Sequence, residues 1–251
     1  MLACTIKITE KGGRMKTVID QAALRRRASL SHAASLGGLF VLLGSVAITL
    51  FRPTWTVLGS VMLFSGFALA MVGIYYANRW VKKPRPEVIL DISLKGLSDA
   101  HRLYHYTRLG DHILLTPNGV VALETVNLEG VFTYQKGRWK QKFSVSRALR
   151  FIVEERLGDP ASAAASSVEL VKRYLMEGAP EGLESQVGAT PVQALVVFTH
   201  PNAQVVAKDA PIPVAQPDKL LKKIPHPGQK MVPELYQYIR GKLDALLPSS
   251  E

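Results

Sequence analysis

Two long uncharged runs dominate the hydrophobic pattern, residues 33–51 and 55–76, separated only by Arg52, Pro53 and Thr54. Each supplies the roughly 20 apolar residues that a helix needs to cross a hydrocarbon core about 30 Å thick. Pro53 breaks the helix and Arg52 keeps the turn in water, so the pattern predicts a helical hairpin with both ends on one side. After a charged linker over 78–90, with the stiff run KKPRPE at 82–87, the period changes. Residues 94–106 read as a short helix with Leu97, Leu103 and Tyr104 as its apolar positions. Residues 111–116 and 120–127 read as strands joined by a turn at Pro117, Asn118 and Gly119. Gly130 opens a strand over 131–135, and Lys136 with Gly137 turns it into another over 138–143. Four consecutive strands with short turns predict an antiparallel meander.

Asp159 and Pro160 then supply an N-cap and a first-turn proline for a helix reaching Glu177. Its apolar residues Ala161, Ala164, Ala165, Val168, Val171 and Leu175 fall on one face, and Gly178 ends it. Residues 192–198 form a continuous apolar run, as in a strand covered on both faces. Shorter strands are expected at 205–206 and 212–214, a helical turn or two at 218–224, and a closing helix over 233–247. Leu235, Ile239, Leu243 and Leu246 are the inward residues of that last helix. The order predicts an α/β chain in four parts. These are a basic N-terminal segment (1–32), a transmembrane hairpin (33–77), the linker (78–90) and an α/β domain with a mixed sheet (91–248).

The charge follows this division. The chain has 31 Lys+Arg against 20 Asp+Glu, a net charge of +11, but residues 1–86 hold 12 of the basic and only 2 of the acidic residues. The α/β domain is close to neutral, so the basicity is not that of a nucleic-acid-binding domain. Arg14, Lys16, Arg25, Arg26 and Arg27 precede the hairpin, and Arg79, Lys82, Lys83 and Arg85 follow it, while its turn carries Arg52 alone. The positive-inside bias therefore predicts a two-pass protein of the cell membrane with both termini in the cytoplasm. Trp55 sits at the outer boundary and Tyr75, Tyr76 and Trp80 at the inner one, as an aromatic belt requires. The first run is too long for a signal peptide and no small-residue cleavage site follows it. Ala34 with Gly38, and Gly66 with Ala70, are small residues four apart that let two helices approach closely. A single cysteine, Cys4, excludes a disulfide scaffold. Residues 1–14 carry no clear pattern, and Met15 is a second candidate start.

The chemistry is concentrated in Asp111 and Glu124, thirteen residues apart on consecutive strands joined by a tight turn. Paired carboxylates suit Mg²⁺, which prefers oxygen ligands, activates water and braces a phosphate. The run DHILLTPNGVVALETVN at 111–127, followed by Gly130, resembles the core of the NERD (nuclease-related) domain of the PD-(D/E)xK nuclease superfamily. The segments VVFTHPNA at 196–203 and APIPV at 210–214, followed by Leu220, extend the similarity over most of residues 94–224. The resemblance implies a restriction-endonuclease-like α/β fold and a Mg²⁺-dependent phosphodiesterase site. It places Asp111 and Glu124 at the family's two acidic, metal-binding positions.

Two departures stand in that site. The family's lysine, two residues after the second acid, is here Val126. A lysine there would share a strand face with Glu124, position the attacking water and stabilise the charged transition state. Valine does neither. The family also tends to have glutamates in its first helix, where this reading finds only Asp99. The expectation is a membrane-anchored domain impaired in catalysis that serves as a binding or scaffold module, with Mg²⁺ as a cofactor only if the nuclease site is functional. Its partners would be the lipid bilayer and a nucleic acid or protein. The alternative is an active Mg²⁺-dependent nuclease acting on DNA or RNA with a relocated lysine, Lys140 or Lys142. A non-catalytic reading also exists for each acid, Asp111 as a strand-start residue and Glu124 as an edge charge. The basic run at 136–142 with Trp139 reads as a solvated hairpin or a contact for phosphate or anionic lipid. His101 and His105, four apart on the predicted helix, lack a zinc-protease glutamate, since Arg102 stands in its place; they read as surface or interface residues.

Overall fold

The computed structural model describes residues 15–19, 21–81, 83–142, 157–224 and 229–246. They fall into two compact units. One is residues 22–85; the other joins 15–21 to 86–142 and 157–246.

The first unit is the expected hairpin. Helix α1 (Gln21–Phe51) and helix α2 (Thr56–Trp80) are joined by a single 3₁₀ turn, Pro53–Trp55. Both are long and apolar enough to cross a membrane, by length and composition, and little of either is buried. Small residues carry the contact between them. A Cβ on Gly38 would meet Ala70, and one on Gly66 would lie 3.1 Å from the Gly38 carbonyl. Ser31 and Ser45 are buried and donate to the carbonyls of Gly73 (3.1 Å) and Gly59 (2.9 Å). These bonds tie the helices where water cannot compete. Phe40, Phe51, Val57 and Phe64 point outward. Trp55, Tyr75 and Tyr76 are also exposed, whereas the Trp80 side chain lies outside the described residues.

The second unit is a mixed six-stranded sheet in the order β1-β2-β3-β4-β7-β9, beside a three-stranded sheet β6-β5-β8. Strands β2 (Arg102–Thr107), β3 (Gly110–Thr116) and β4 (Gly119–Val126) are antiparallel neighbours. Strands β1 (Lys16–Ile19), β7 (Val192–Phe198) and β9 (Val214–Ala215) add on in parallel. On one face Leu103, Leu114, Val121, Leu123, Leu195 and Val197 pack under helix α3 (Pro86–Ser93) and the short helix α6 (Leu220–Lys223). On the other, Tyr104, Ile113, Leu115 and Val120 meet helix α4 (Pro160–Met176) and helix α7 (Pro233–Asp244). Helix α5 (Glu184–Ala189) adds Val187 to that layer.

Several expectations hold. Asp159 caps α4 by accepting from the amides of Ala161 and Ser162, and Ala161, Ala164, Val171 and Leu175 face inward. Ala165 is exposed. Strand β7 has the predicted bounds, and Leu235, Ile239 and Leu243 bury the closing helix. Other expectations are corrected. Residues 94–106 do not form a helix: α3 ends at Ser93 and β2 follows. Arg102, Leu103, Tyr104 and His105 are all buried, so this strand has neither the alternation nor the helical stripe that would have marked it. The meander breaks after β4. Residues 127–129 carry the chain away, and Gly130, at φ +129, starts β5 (Gly130–Gln135). That strand pairs with β6 (Arg138–Gln141) and, in parallel, with β8 (Ala203–Val206). The expected end of β6 at Phe143 and of the last helix at Leu247 lie outside the described residues. The α/β domain also departs from 91–248. It starts at Pro86, inside the expected linker, and takes its edge strand β1 from the segment assigned to the basic N-terminal region.

Candidate functional site

The β3–β4 hairpin sets the position of the two acids. Its register pairs Ile113 with Ala122 and His112 with Leu123, which leaves Asp111 and Glu124 at the next rung, both half-buried. By strand alternation both belong to the face of Ile113 and Val120, the α4 side of the sheet. A Cβ on Gly110, the residue before Asp111, would meet Ser167 of α4. The sheet thus brings the predicted pair to one place.

Val126 lies two residues beyond Glu124 and is 7% exposed. It pairs with Phe198 across β7 and clusters with Phe132, Ala164, Val196 and Ala203. An ammonium group in that surrounding would be desolvated and would need the neighbouring carboxylate to remain charged. The alternative lysines stand elsewhere. Lys140 pairs with Thr133, on the face of the small sheet opposite to Phe132 and Trp139, and both Lys140 and Lys142 are exposed. Trp139 turns inward against Phe198, with ring centroids 5.4 Å apart. Two carboxylates leave much of an octahedral Mg²⁺ shell to water, and the adjoining position adds only valine methyls. Among the described residues no three His, Cys, Asp or Glu side chains converge to hold a metal ion.

Sequence reasoning missed a second polar cluster, on the opposite face of the same strands. Asp99 is not in the first helix but in the exposed turn after it; α3 carries Glu87 and Asp91 instead. Both carboxylates point toward the sheet. Thr17 of β1 donates to Asp91 Oδ1 (2.9 Å), which also lies 3.1 Å from His105 Nε2. His105 and His112 are fully buried, opposite one another across β2 and β3, with their Nδ1 atoms 2.7 Å apart. At that separation one Nδ1 donates and the other accepts, the roles set by the tautomers of the two rings. Tyr106, at φ +56, breaks the alternation of β2 and turns its ring to this face, 5.0 Å from His112, where its hydroxyl donates to Glu87 (2.7 Å). His105 is therefore a core residue rather than the surface residue expected. The signal was present: His105 and His112 are equidistant from the turn at Arg108 and Leu109, but only if β2 is recognised as a strand.

A third cluster is structural. Asp244 of α7 accepts two bonds from Arg102 Nη1 (2.9 Å each) and one from Tyr104 (2.7 Å). Burial, with the Asp244 carboxylate beside it, pushes the Tyr104 hydroxyl well above the ordinary phenol range.

Mixed strands sandwiched by helices, with acidic residues at one rung of a central hairpin, make this unit a mixed α/β domain. Within it, residues 87–199 match the family model NERD, the nuclease-related domain. The match runs from the first turn of α3 to the end of β7. It reaches further toward the N-terminus than the resemblance read from sequence and stops short of β8 and β9. No curated protein and no solved structure matches the chain.

Proposed function

We propose that this protein is a membrane-anchored nuclease-related domain that has lost nuclease chemistry and acts as a cytoplasmic binding or scaffold module for a nucleic acid or a protein. The observation that carries the reading is Val126. At the position where the family places lysine, a methyl-bearing side chain is locked into an apolar cluster beside Glu124. Lys140 and Lys142, the lysines that an active enzyme would have to recruit, occupy an outward face of the other sheet. Anchoring and orientation rest on the two long apolar helices and on the nine basic residues that flank them against one in the turn. The domain's near-neutral net charge also gives little to offset the phosphate repulsion that duplex-cleaving enzymes must overcome.

The test is incubation of the full chain with single- and double-stranded DNA and with RNA, in Mg²⁺ and in Mn²⁺. The expected outcome is substrate of unchanged length. Shortened products that disappear in Asp111→Ala would establish the active alternative.

A further inference from the structure

Helix α3 carries apolar residues on both of its sides. Its two carboxylates face the protein, where Glu87 accepts from Tyr106 and Asp91 from Thr17, and Leu90 and Leu94 continue that inner side. Its outer side carries Val88 and Ile92, one turn apart and 42% and 69% exposed. A solvent-facing helix ordinarily keeps its outer side polar, and an apolar outer stripe marks a surface that something covers. The nearby helix α6 adds a further exposed apolar residue. Leu221 is 40% exposed, and its Cδ1 lies 3.2 Å from where a Cβ on Gly96 would sit. Around these residues stand Lys95, Lys219, Lys222 and Lys223, all exposed, against Asp99 and Asp218.

We propose that the outer face of α3 and α6 docks on an anionic lipid surface. Val88, Ile92 and Leu221 would enter the headgroup boundary while Lys95, Lys219, Lys222 and Lys223 contact lipid phosphates. Three considerations select lipid. An apolar stripe rimmed by lysines is the pattern of interfacial helices, whereas a nucleic acid would engage the lysines and leave the stripe in water. Residues 81–85 alone connect α2 to α3, a reach of about 18 Å at full extension. A bilayer spanned by α2 is thus presented to α3 at high effective concentration. Finally, each lysine near an anionic leaflet contributes about a fivefold gain in association. The inference rests on the membrane anchoring proposed above.

The experiment uses the full chain in a Cys4→Ser background, with a fluorescent label on Ile92→Cys or, as a reference in α2, on Phe64→Cys. The protein is reconstituted into phosphatidylcholine vesicles with and without phosphatidylglycerol. The Ile92→Cys label is expected to be quenched by lipid-borne nitroxide and shielded from aqueous acrylamide in the anionic vesicles. That quenching should fall at least about fivefold without phosphatidylglycerol or in the Lys219→Gln, Lys222→Gln, Lys223→Gln triple variant. If the Phe64→Cys label is quenched by lipid and the Ile92→Cys label is open to acrylamide, docking is refuted while anchoring stands. Failure of the Phe64→Cys label to meet lipid refutes anchoring itself. An Ile92→Cys label shielded from acrylamide yet beyond the reach of lipid nitroxide would show a second copy or another protein on this face, and would overturn the lipid assignment.

Discussion

Four residues matter most at this scale: Val126, His105, His112 and Tyr104. Val126 was legible as a departure because the motif around it is local: the Pro117-Asn118-Gly119 turn fixes the β3–β4 register, and that register fixes the rung of Asp111 and Glu124. His105 and His112 were not legible, since their pairing requires β2, and β2 is buried on both faces. Tyr104 supports a prediction about pH. Its folded-state pKa is raised, so its contribution is complete below about pH 10 and is lost as pH rises from there toward the folded value. The unfolded chain ionises first, which costs about 1.4 kcal/mol per pH unit in that window. Urea midpoints of the wild type should therefore fall above about pH 10 more steeply than those of Tyr104→Phe; parallel slopes would remove Tyr104 from the account. Asp244→Ala, which strips Arg102 and Tyr104 of their shared acceptor, is expected to cost about 2 kcal/mol by the same measurement.

At the scale of elements, the legible pieces are those with local punctuation. Helix α4 announces itself through Asp159 and Pro160 and a 3.6-residue stripe, and Asp159→Ala should cost about 1 kcal/mol by removing the acceptor for two first-turn amides. Strand β1 was illegible because its three β-branched residues are too short a run to stand alone; it exists through parallel pairing with β2, far along the chain. Helix α3 was hidden in the linker because its charges look like solvent-facing ones but are inward acceptors. In the hairpin, Gly73 packs against the backbone of Ser35 and accepts from Ser31. Gly73→Leu is expected to part the two helices and shorten the lifetime of the chain in detergent at raised temperature. Gly37→Leu should be milder, because the nearest atom there is the flexible side chain of Leu69. Equal lifetimes for the two variants would contradict the packing described.

For the whole molecule, hydropathy marks the hairpin, and the excess charge lies on and around it. Ten of the eleven excess positive charges lie in residues 1–86, which holds the two apolar helices. What composition could not place is the boundary, since the α/β unit takes β1 from before the hairpin and α3 from directly after it. The proposed topology predicts that a reporter fused after Glu251 is active only where the cytoplasm folds it; activity confined to the outside would reverse the orientation. The central claim, a nuclease-related domain without nuclease chemistry, is tested most directly at position 126. Metal-dependent cleavage is measured for the full wild-type chain, for Val126→Lys, and for each combined with Glu124→Ala. The account predicts an inert wild type and weak cleavage by Val126→Lys that Glu124→Ala abolishes. Cleavage by the wild type that Glu124→Ala abolishes would contradict it.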